Sequence, residues 1–263
     1  MKNKNQLKHL LYGCLLAAGL LVLAMSSQSP AAELKVFGAA SLTDVLKELS
    51  VDYEKETGNK TIFSMGASSA VALQIQQGAP ADLFFSADEA KMDALEKAGL
   101  ILKDTRVSLL SNTLVVVAPA DSKLTLHSID ELAEPKIKKL ALAEPQTVPV
   151  GVYAKAYLQK KGLWDRIAVK MIPTQNVRAS LGAVEGGDVD AGIVYKTDAV
   201  ISKKVKIIYE VSAAEGPKIS YPVAVVGASK SPGVAQALIA YYQTPHSKAV
   251  FEKYGFLILS TGR

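Results

Sequence analysis

The sequence predicts an α/β protein built on mostly parallel sheets with helices on both faces. Short runs rich in Val, Ile, Leu and Phe alternate along the chain with stretches whose apolar residues recur at helical spacing. Gly follows many of the helical stretches, as at Gly58, Gly78 and Gly99. No Gly- or Ser-rich linker and no fixed-period repeat divides the chain. At 263 residues and 49% hydrophobic, there is room for one large domain or two of about 100 residues each.

The first 32 residues, MKNKNQLKHLLYGCLLAAGLLVLAMSSQSPAA, precede that alternation. Lys2, Lys4 and Lys8 open the stretch, an apolar run extends from Leu10 to about Met25, and small residues follow from Ser29 to Ala32. This is the layout of a secretory signal peptide. The run is shorter than the roughly 20 residues that span a bilayer. Cys14 is the only Cys, and most of the apolar run comes after it, whereas a lipid-modified Cys would end such a run. The mature chain is therefore read as exported, not lipid-anchored and free of thiols, which excludes disulfides, thiolate metal sites and Cys nucleophiles. The formal charge of +5 falls to +2 without the leader's three Lys, and leaves no footprint for nucleic acid or a membrane surface.

"LKVFGAA" reads as a strand and "LTDVLKELSVDYEKETG" as a helix with Leu42, Val45, Leu46 and Leu49 on one face. "KTIFSM" and "DLFFSA" are strands separated by the short helix "SAVALQIQQG", and "DEAKMDALEKAG" is the next helix. "LVVVAP" and "LALAEP" are strands, "GVYAKAYLQKKG" a helix, "AVKMIP" a strand and "VRASLGAVEGG" a helix. "DAGIVY", "VKIIYEV" and "YPVAVVG" are strands, and "PGVAQALIAYYQT" and "SKAVFEKYG" are closing helices. "SNTLVVVAP" and "SYPVAVVG" are the candidates to cross between two lobes.

In open α/β sheets, ligands bind beyond the carboxyl ends of the strands. Those junctions carry Ser41, then Ser68 with Ser69, Pro149-Val150-Gly151, Gln175-Asn176-Val177, and Tyr195. They supply hydroxyls and the helix-start N–H groups that have no internal partner. Several such starts on one cleft form a nest of donors that holds a small anion without Lys or Arg. Ser41 also reads as a helix cap, with Asp44 three residues on completing a capping box. The roles are compatible, because a cap oxygen accepts while its own hydrogen stays free to donate. Pro149 is equally ordinary helix-start punctuation, and Tyr195 equally a packing residue. Beyond the leader only His127 and His246 occur, and the chain has no G-x-S-x-G turn, H-x-x-x-H pair or phosphate-binding G-x-x-x-x-G-K loop. Hydrolase, zinc and nucleotide chemistry are discounted accordingly.

The stretches "VFGAASLTDVL", "GASSAVALQIQQGAPADLFFSAD", "LVVVAP", "VPVGVYAKAYLQKKG", "NVRASLGAVEGGDVDAGIVY", "YPVAVV" and "FEKYGF" occur in this order along essentially the whole mature chain. Together they resemble the periplasmic molybdate-binding proteins of ABC importers. The resemblance implies a two-lobed type II periplasmic binding fold, each lobe a mostly parallel sheet flanked by helices. Lobe one would be 33–114 plus 222–263 and lobe two 115–221, with the ligand in the cleft between them. It implies periplasmic binding of molybdate and tungstate and delivery to membrane permease subunits, with sulfate or another small tetrahedral oxyanion as the alternative. Carried over by position, Ser41 and Ser68 would give hydroxyl and N–H donors, Val150 and Val177 their N–H groups, and Tyr195 its phenol hydroxyl. The metal would enter as its oxyanion, bound by no protein atom directly, to a monomer with no catalytic residue, no cofactor and no nucleic-acid partner. The chain departs from the pattern with Val150 where Ala is expected, Gly38 and Gly66 where Ala or Ser-like residues are, and Asp44 where a neutral residue is.

Overall fold

The structure, a computed structural model, describes residues 31–260, so the predicted leader up to Pro30, with Cys14, lies outside the described residues. In chain order the elements are β1 (Glu33–Ala39), α1 (Thr43–Thr57), β2 (Lys60–Gly66), α2 (Ser68–Gln76), β3 (Leu83–Phe85), α3 (Glu89–Lys97), β4 (Val107–Ser111) and β5 (Leu114–Pro119). There follow β6 (Leu140–Ala143), α4 (Pro149–Lys160), α5 (Trp164–Ala168), β7 (Met171–Thr174), α6 (Val177–Glu185), β8 (Ala191–Tyr195) and α7 (Lys196–Val200). The chain continues with β9 (Val205–Glu210), β10 (Tyr221–Val225), α8 (Pro232–Tyr242), α9 (Pro245–Lys253) and β11 (Leu257–Ile258).

The strands form two sheets, ordered β11-β4-β10-β3-β1-β2 and β7-β6-β8-β5-β9. Both are mixed, which corrects the expectation of mostly parallel sheets. β1 runs parallel to β2 and β3, and β6 parallel to β7 and β8. β10 lies antiparallel to β3 and β4, β11 to β4, and β5 to β8 and β9. The reason lies in how the chain changes sheets. It leaves the first sheet between Ser111 and Leu114 and returns over residues 211–220. β5 and β10 thus arrive from the other sheet rather than through a helical crossover, which is what keeps neighbours parallel, and each runs against its partners. β11, of two residues, and the five-residue helices α5 and α7 were not legible in the sequence, being too short for a periodic signal, and β4 was not read as a strand.

Packing sets where the strand ends meet. α1 buries Val45, Leu46, Leu49 and Tyr53 on one stripe and stops at Gly58, whose φ of 74° is the left-handed conformation Gly adopts without strain. Burial of each such Leu contributes about 1.5–3 kcal/mol. Phe84 and Phe85 alternate to opposite faces of the first sheet, and Phe85 joins a core shared with second-sheet residues such as Val115, Leu142 and Val194. Phe84 packs instead with Met92, Leu95 and Ile75. The parallel registers Ala39↔Gly66 and Gly38↔Phe85 bring the carboxyl ends of β1, β2 and β3 side by side. Ala143↔Thr174 and Ala141↔Gly192 do the same for β6, β7 and β8.

Candidate functional site

A small cavity lies beyond these strand ends, walled by segments from both sheets. Ser41, Ser68, Val150, Val177 and Tyr195 all line it, together with Ala39, Ala40, Gly66, Ala67, Ala87, Val148, Pro149 and Asn176. The five residues singled out by the resemblance are therefore neighbours. Ser69 and Gly151 are not among the lining residues, nor is any Lys, Arg, His, Asp or Glu.

On the first-sheet side, β1 runs into a 3₁₀ turn, Ala40–Leu42, that continues directly as α1. The expected capping box at Ser41 and Asp44 does not form. A cap residue must be extended, and the extended backbone ends at Ala39 (φ −62°, ψ 137°), so Ser41 already sits inside the turn. Its Oγ lies 3.0 Å from Tyr221 Oη, in a residue only 3% exposed. Asp44 faces Arg178, whose Nη2 is 2.7 Å from its carboxylate, and this pairing neutralises the charge that looked out of place beside an anion site.

Ser68 opens α2 after the extended Ala67, and the first internal bond of that helix runs from the Val71 N–H to the Ala67 carbonyl at 3.0 Å. The N–H of Ser68 has no partner within the helix. Its Oγ accepts the Ala87 N–H at 2.9 Å, which ties α2 to the residues after β3 and leaves the hydroxyl proton free.

On the second-sheet side the donors are backbone. Pro149 takes the first position of α4 and has no N–H, so Val150 is the first donor, and internal bonding starts only with the Val152 N–H to the Val148 carbonyl at 2.9 Å. Gly151 permits this placement: a Cβ there would stand 2.2 Å from the Ala143 carbonyl oxygen, so only Gly lets the helix start rest on the end of β6. Helix α4 begins at Pro149, two residues before the Gly151 that opens its sequence pattern, and α6 begins at Val177. At α6, Asn176 is extended and its Oδ1 accepts the N–H groups of Arg178 (2.9 Å) and Ala179 (3.0 Å). The cap takes those two donors and leaves the Val177 N–H uncommitted.

Tyr195 ends β8 and is 1% exposed. Its hydroxyl has no hydrogen-bond partner among the described residues, and burial holds the phenol well above its ordinary pKa, so it stays a proton donor. Behind this wall Arg178 Nε stands 2.5 Å from Oδ1 of the fully buried Asp198. Burial raises that carboxyl to about 6 while the guanidinium pulls it the other way. Sequence reasoning missed Arg178 and Asp198; the one signal was Asp44, a carboxylate in want of a cation. His127 and His246 stand apart: neither lines the cavity, and His246 Nε2 lies 3.0 Å from Asp52 Oδ2 at the surface.

Residues 34–257 match the family model described as bacterial extracellular solute-binding protein. The putative ABC transporter substrate-binding lipoprotein YvgL of Bacillus subtilis is 40% identical over 256 residues, 95% of this chain and 98% of that protein. The molybdate-binding protein ModA of Escherichia coli is 40% identical over 230 residues, 86% of this chain and 89% of that one. Among solved structures, the substrate-binding domain of a putative molybdenum ABC transporter from Clostridium difficile is similar at 32% identity and a TM-score of 0.69, covering 88% of this chain and all (100%) of its own. The periplasmic molybdate-binding protein of Azotobacter vinelandii shares the fold at 24% identity and a TM-score of 0.79, over 86% of this chain and 100% of its own. With its two mixed sheets flanked by helices and a family match over most of its length, the chain belongs to the bacterial extracellular solute-binding proteins.

Proposed function

We propose that the protein binds molybdate, with tungstate as a second ligand, in the periplasm and delivers it to the permease subunits of an ABC importer. The observation that carries this reading is the donor-only character of the cavity. Three hydroxyls and several unpaired helix-start N–H groups converge on it, and no charged side chain lines it. A fully deprotonated tetrahedral oxyanion presents acceptors alone, so every contact is complementary, and the partial positive charge of the helix starts replaces a counter-ion. Ser41 and Ser68 bind through hydroxyl and N–H, Val150 and Val177 through N–H, and Tyr195 through its phenol. The metal arrives inside its oxygens and meets no protein atom directly. The names of the 40%-identical Escherichia coli protein and of a 35%-identical Haemophilus influenzae one favour molybdate over sulfate. The reading as a carrier is supported by the match to the extracellular solute-binding family. The protein works as a monomer with a cleaved leader and no lipid anchor, its lobes being 33–114 with 222–263 and 115–221, which close over the ligand by hinge motion.

Calorimetric titration at neutral pH with molybdate, tungstate, sulfate and phosphate tests the reading. One-to-one binding of molybdate and tungstate is expected, with sulfate weaker. Phosphate should be weakest, because its remaining proton would face donors only, a mismatch of about 1–3 kcal/mol. Sulfate binding tighter than molybdate would transfer the assignment to a sulfate carrier. Phosphate binding as tightly as molybdate would overturn the donor-only cavity.

A further inference from the structure

Ser41 Oγ ends a chain of buried polar groups. It lies 3.0 Å from Tyr221 Oη, which in turn lies 3.1 Å from Asn112 Nδ2. The far end determines which way the protons point. Asn112 Oδ1 accepts the Thr113 N–H at 2.9 Å, so the amide's other end, Nδ2, faces Tyr221 and the Thr197 hydroxyl at 2.9 Å. Nδ2 only donates, so Tyr221 Oη receives one of its protons. Tyr221 is fully buried, and its own proton has Ser41 Oγ within reach; turned elsewhere it would be a buried donor with no acceptor. Ser41 is thereby the acceptor toward Tyr221, and its own proton is left for the cavity.

We infer that Tyr221 and Asn112 are positioning residues that aim the Ser41 proton at the ligand and so make the cavity reject oxyanions that carry a proton. The inference rests on the anion-binding reading above and adds its specificity device. Ser68 is oriented in the same sense by the Ala87 N–H, and Tyr195 is a donor without a partner among the described residues, so all three hydroxyls present protons. Of these, only the Ser41 proton is directed by other side chains. Asn112 sits in the two-residue crossing from the first sheet to the second, and Tyr221 opens β10 at the return crossing. The polarised chain is therefore anchored where the two sheets are joined. Without the Tyr221 hydroxyl, Ser41 is free to rotate and to offer a lone pair to a protonated ligand.

Tyr221→Phe removes that hydroxyl and keeps the ring, which packs edge-on to Phe256 at 5.4 Å and lies 5.9 Å from the Tyr195 ring. The experiment measures dissociation constants for molybdate, sulfate and phosphate at pH 7 in the parent, Tyr221→Phe, Ser41→Ala and the double variant. Tyr221→Phe should weaken molybdate binding about 3- to 10-fold, and should lower the molybdate-to-phosphate ratio of affinities by about tenfold or more as phosphate gains an acceptor. In the Ser41→Ala background the same change should leave the ratio within about twofold, because the chain has lost its end. An unchanged ratio in Tyr221→Phe overturns the inference, whatever happens to the melting temperature. So does an equal fall of the ratio in both backgrounds. A parent that prefers sulfate to molybdate removes the molybdate reading alone; the sulfate-to-phosphate ratio then carries the same test, since sulfate is also unprotonated at pH 7.

Discussion

The first-sheet wall of the cavity presents Ser41 and Ser68, whose hydroxyls are oriented by other protein donors, while the second-sheet wall presents the N–H groups of Val150 and Val177, oriented by helix starts. What backs the walls differs as well. Behind Ser41 lies the neutral chain through Tyr221 and Asn112, and behind Val177 lies the ion pair of Arg178 with buried Asp198. The difference separates two kinds of specificity. On the first wall the proposed ligand contact is a side chain, so substituting it should act directly on binding. On the second wall the proposed contacts at Val150 and Val177 are backbone, so their side chains govern stability and only a change that removes the N–H reaches the ligand; the Tyr195 phenol at the end of β8 is that wall's side-chain contact.

Replacing Val177 sharpens that contrast most. Val177→Pro deletes the N–H and exchanges the buried isopropyl group for the pyrrolidine ring, at a first helical position where Pro's fixed φ fits and after an Asn176 that is already extended. It should cost about 3 kcal/mol of molybdate binding, roughly 150-fold, with little loss of the helix. Val177→Ala keeps the N–H and should bind within about threefold of the parent while losing about 1.5 kcal/mol of stability. Calorimetry together with urea unfolding on both variants reads the two axes; a Val177→Pro variant that binds like the parent would remove this N–H from the site.

Ser68→Ala and Tyr195→Phe each delete a hydroxyl donor and should each weaken molybdate binding about 30-fold, near 2 kcal/mol. Their stabilities should diverge. Ser68→Ala also orphans the buried Ala87 N–H and should unfold about 1–3 kcal/mol more easily. Tyr195→Phe removes a hydroxyl with no partner among the described residues, so the ligand-free melting temperature should hold or rise. A parallel loss of stability in both variants would mean that Tyr195 has a structural bond.

Asp198 tests what supports the second wall. Its carboxyl is raised from 3.8 in the unfolded chain to about 6 in the fold. The folded state therefore holds this proton more tightly, and the group's contribution to stability is full below about pH 4 and is lost as pH rises through about 6. The difference in unfolding free energy between the parent and Asp198→Asn should shift by on the order of 2 kcal/mol from pH 4 to pH 7, in the direction of the parent weakening at the higher pH. Urea midpoints at pH 4, 5, 6 and 7 measure it. A pH-independent difference would mean that the Arg178 guanidinium keeps Asp198 ionised throughout.

Asp44→Asn should have the smallest effect. The Arg178–Asp44 pair joins α6 to α1, yet its side chains are 25% and 41% exposed. Such pairs contribute under about 1 kcal/mol, so molybdate affinity should fall less than about fivefold and the difference should fade in high salt. A loss as large as that of Val177→Pro would make this bridge, rather than the backbone donors, the main determinant of binding.

Much of the site was legible from local pattern. The helix starts at Ser68, Pro149 and Val177 are set by residues adjacent in sequence: the extended Ala67, the missing N–H of Pro149 and the Asn176 cap. Each needs only its neighbours to expose a donor, and the alternation of strand and helix dictates that these starts gather beyond the strand ends. The α/β class follows from the same periodicities. Tertiary structure alone decided the rest, because those contacts join residues whose chain separation carries no periodic signal. Tyr221 meets Asn112 across 109 residues and Ser41 across 180, and only folding determines that the Ser41 hydroxyl answers a tyrosine rather than capping its own helix. The pairing of Arg178 with Asp198 and Asp44 is of the same kind. So is the antiparallel direction of β5 and β10, fixed by the change of sheet rather than by anything within either strand.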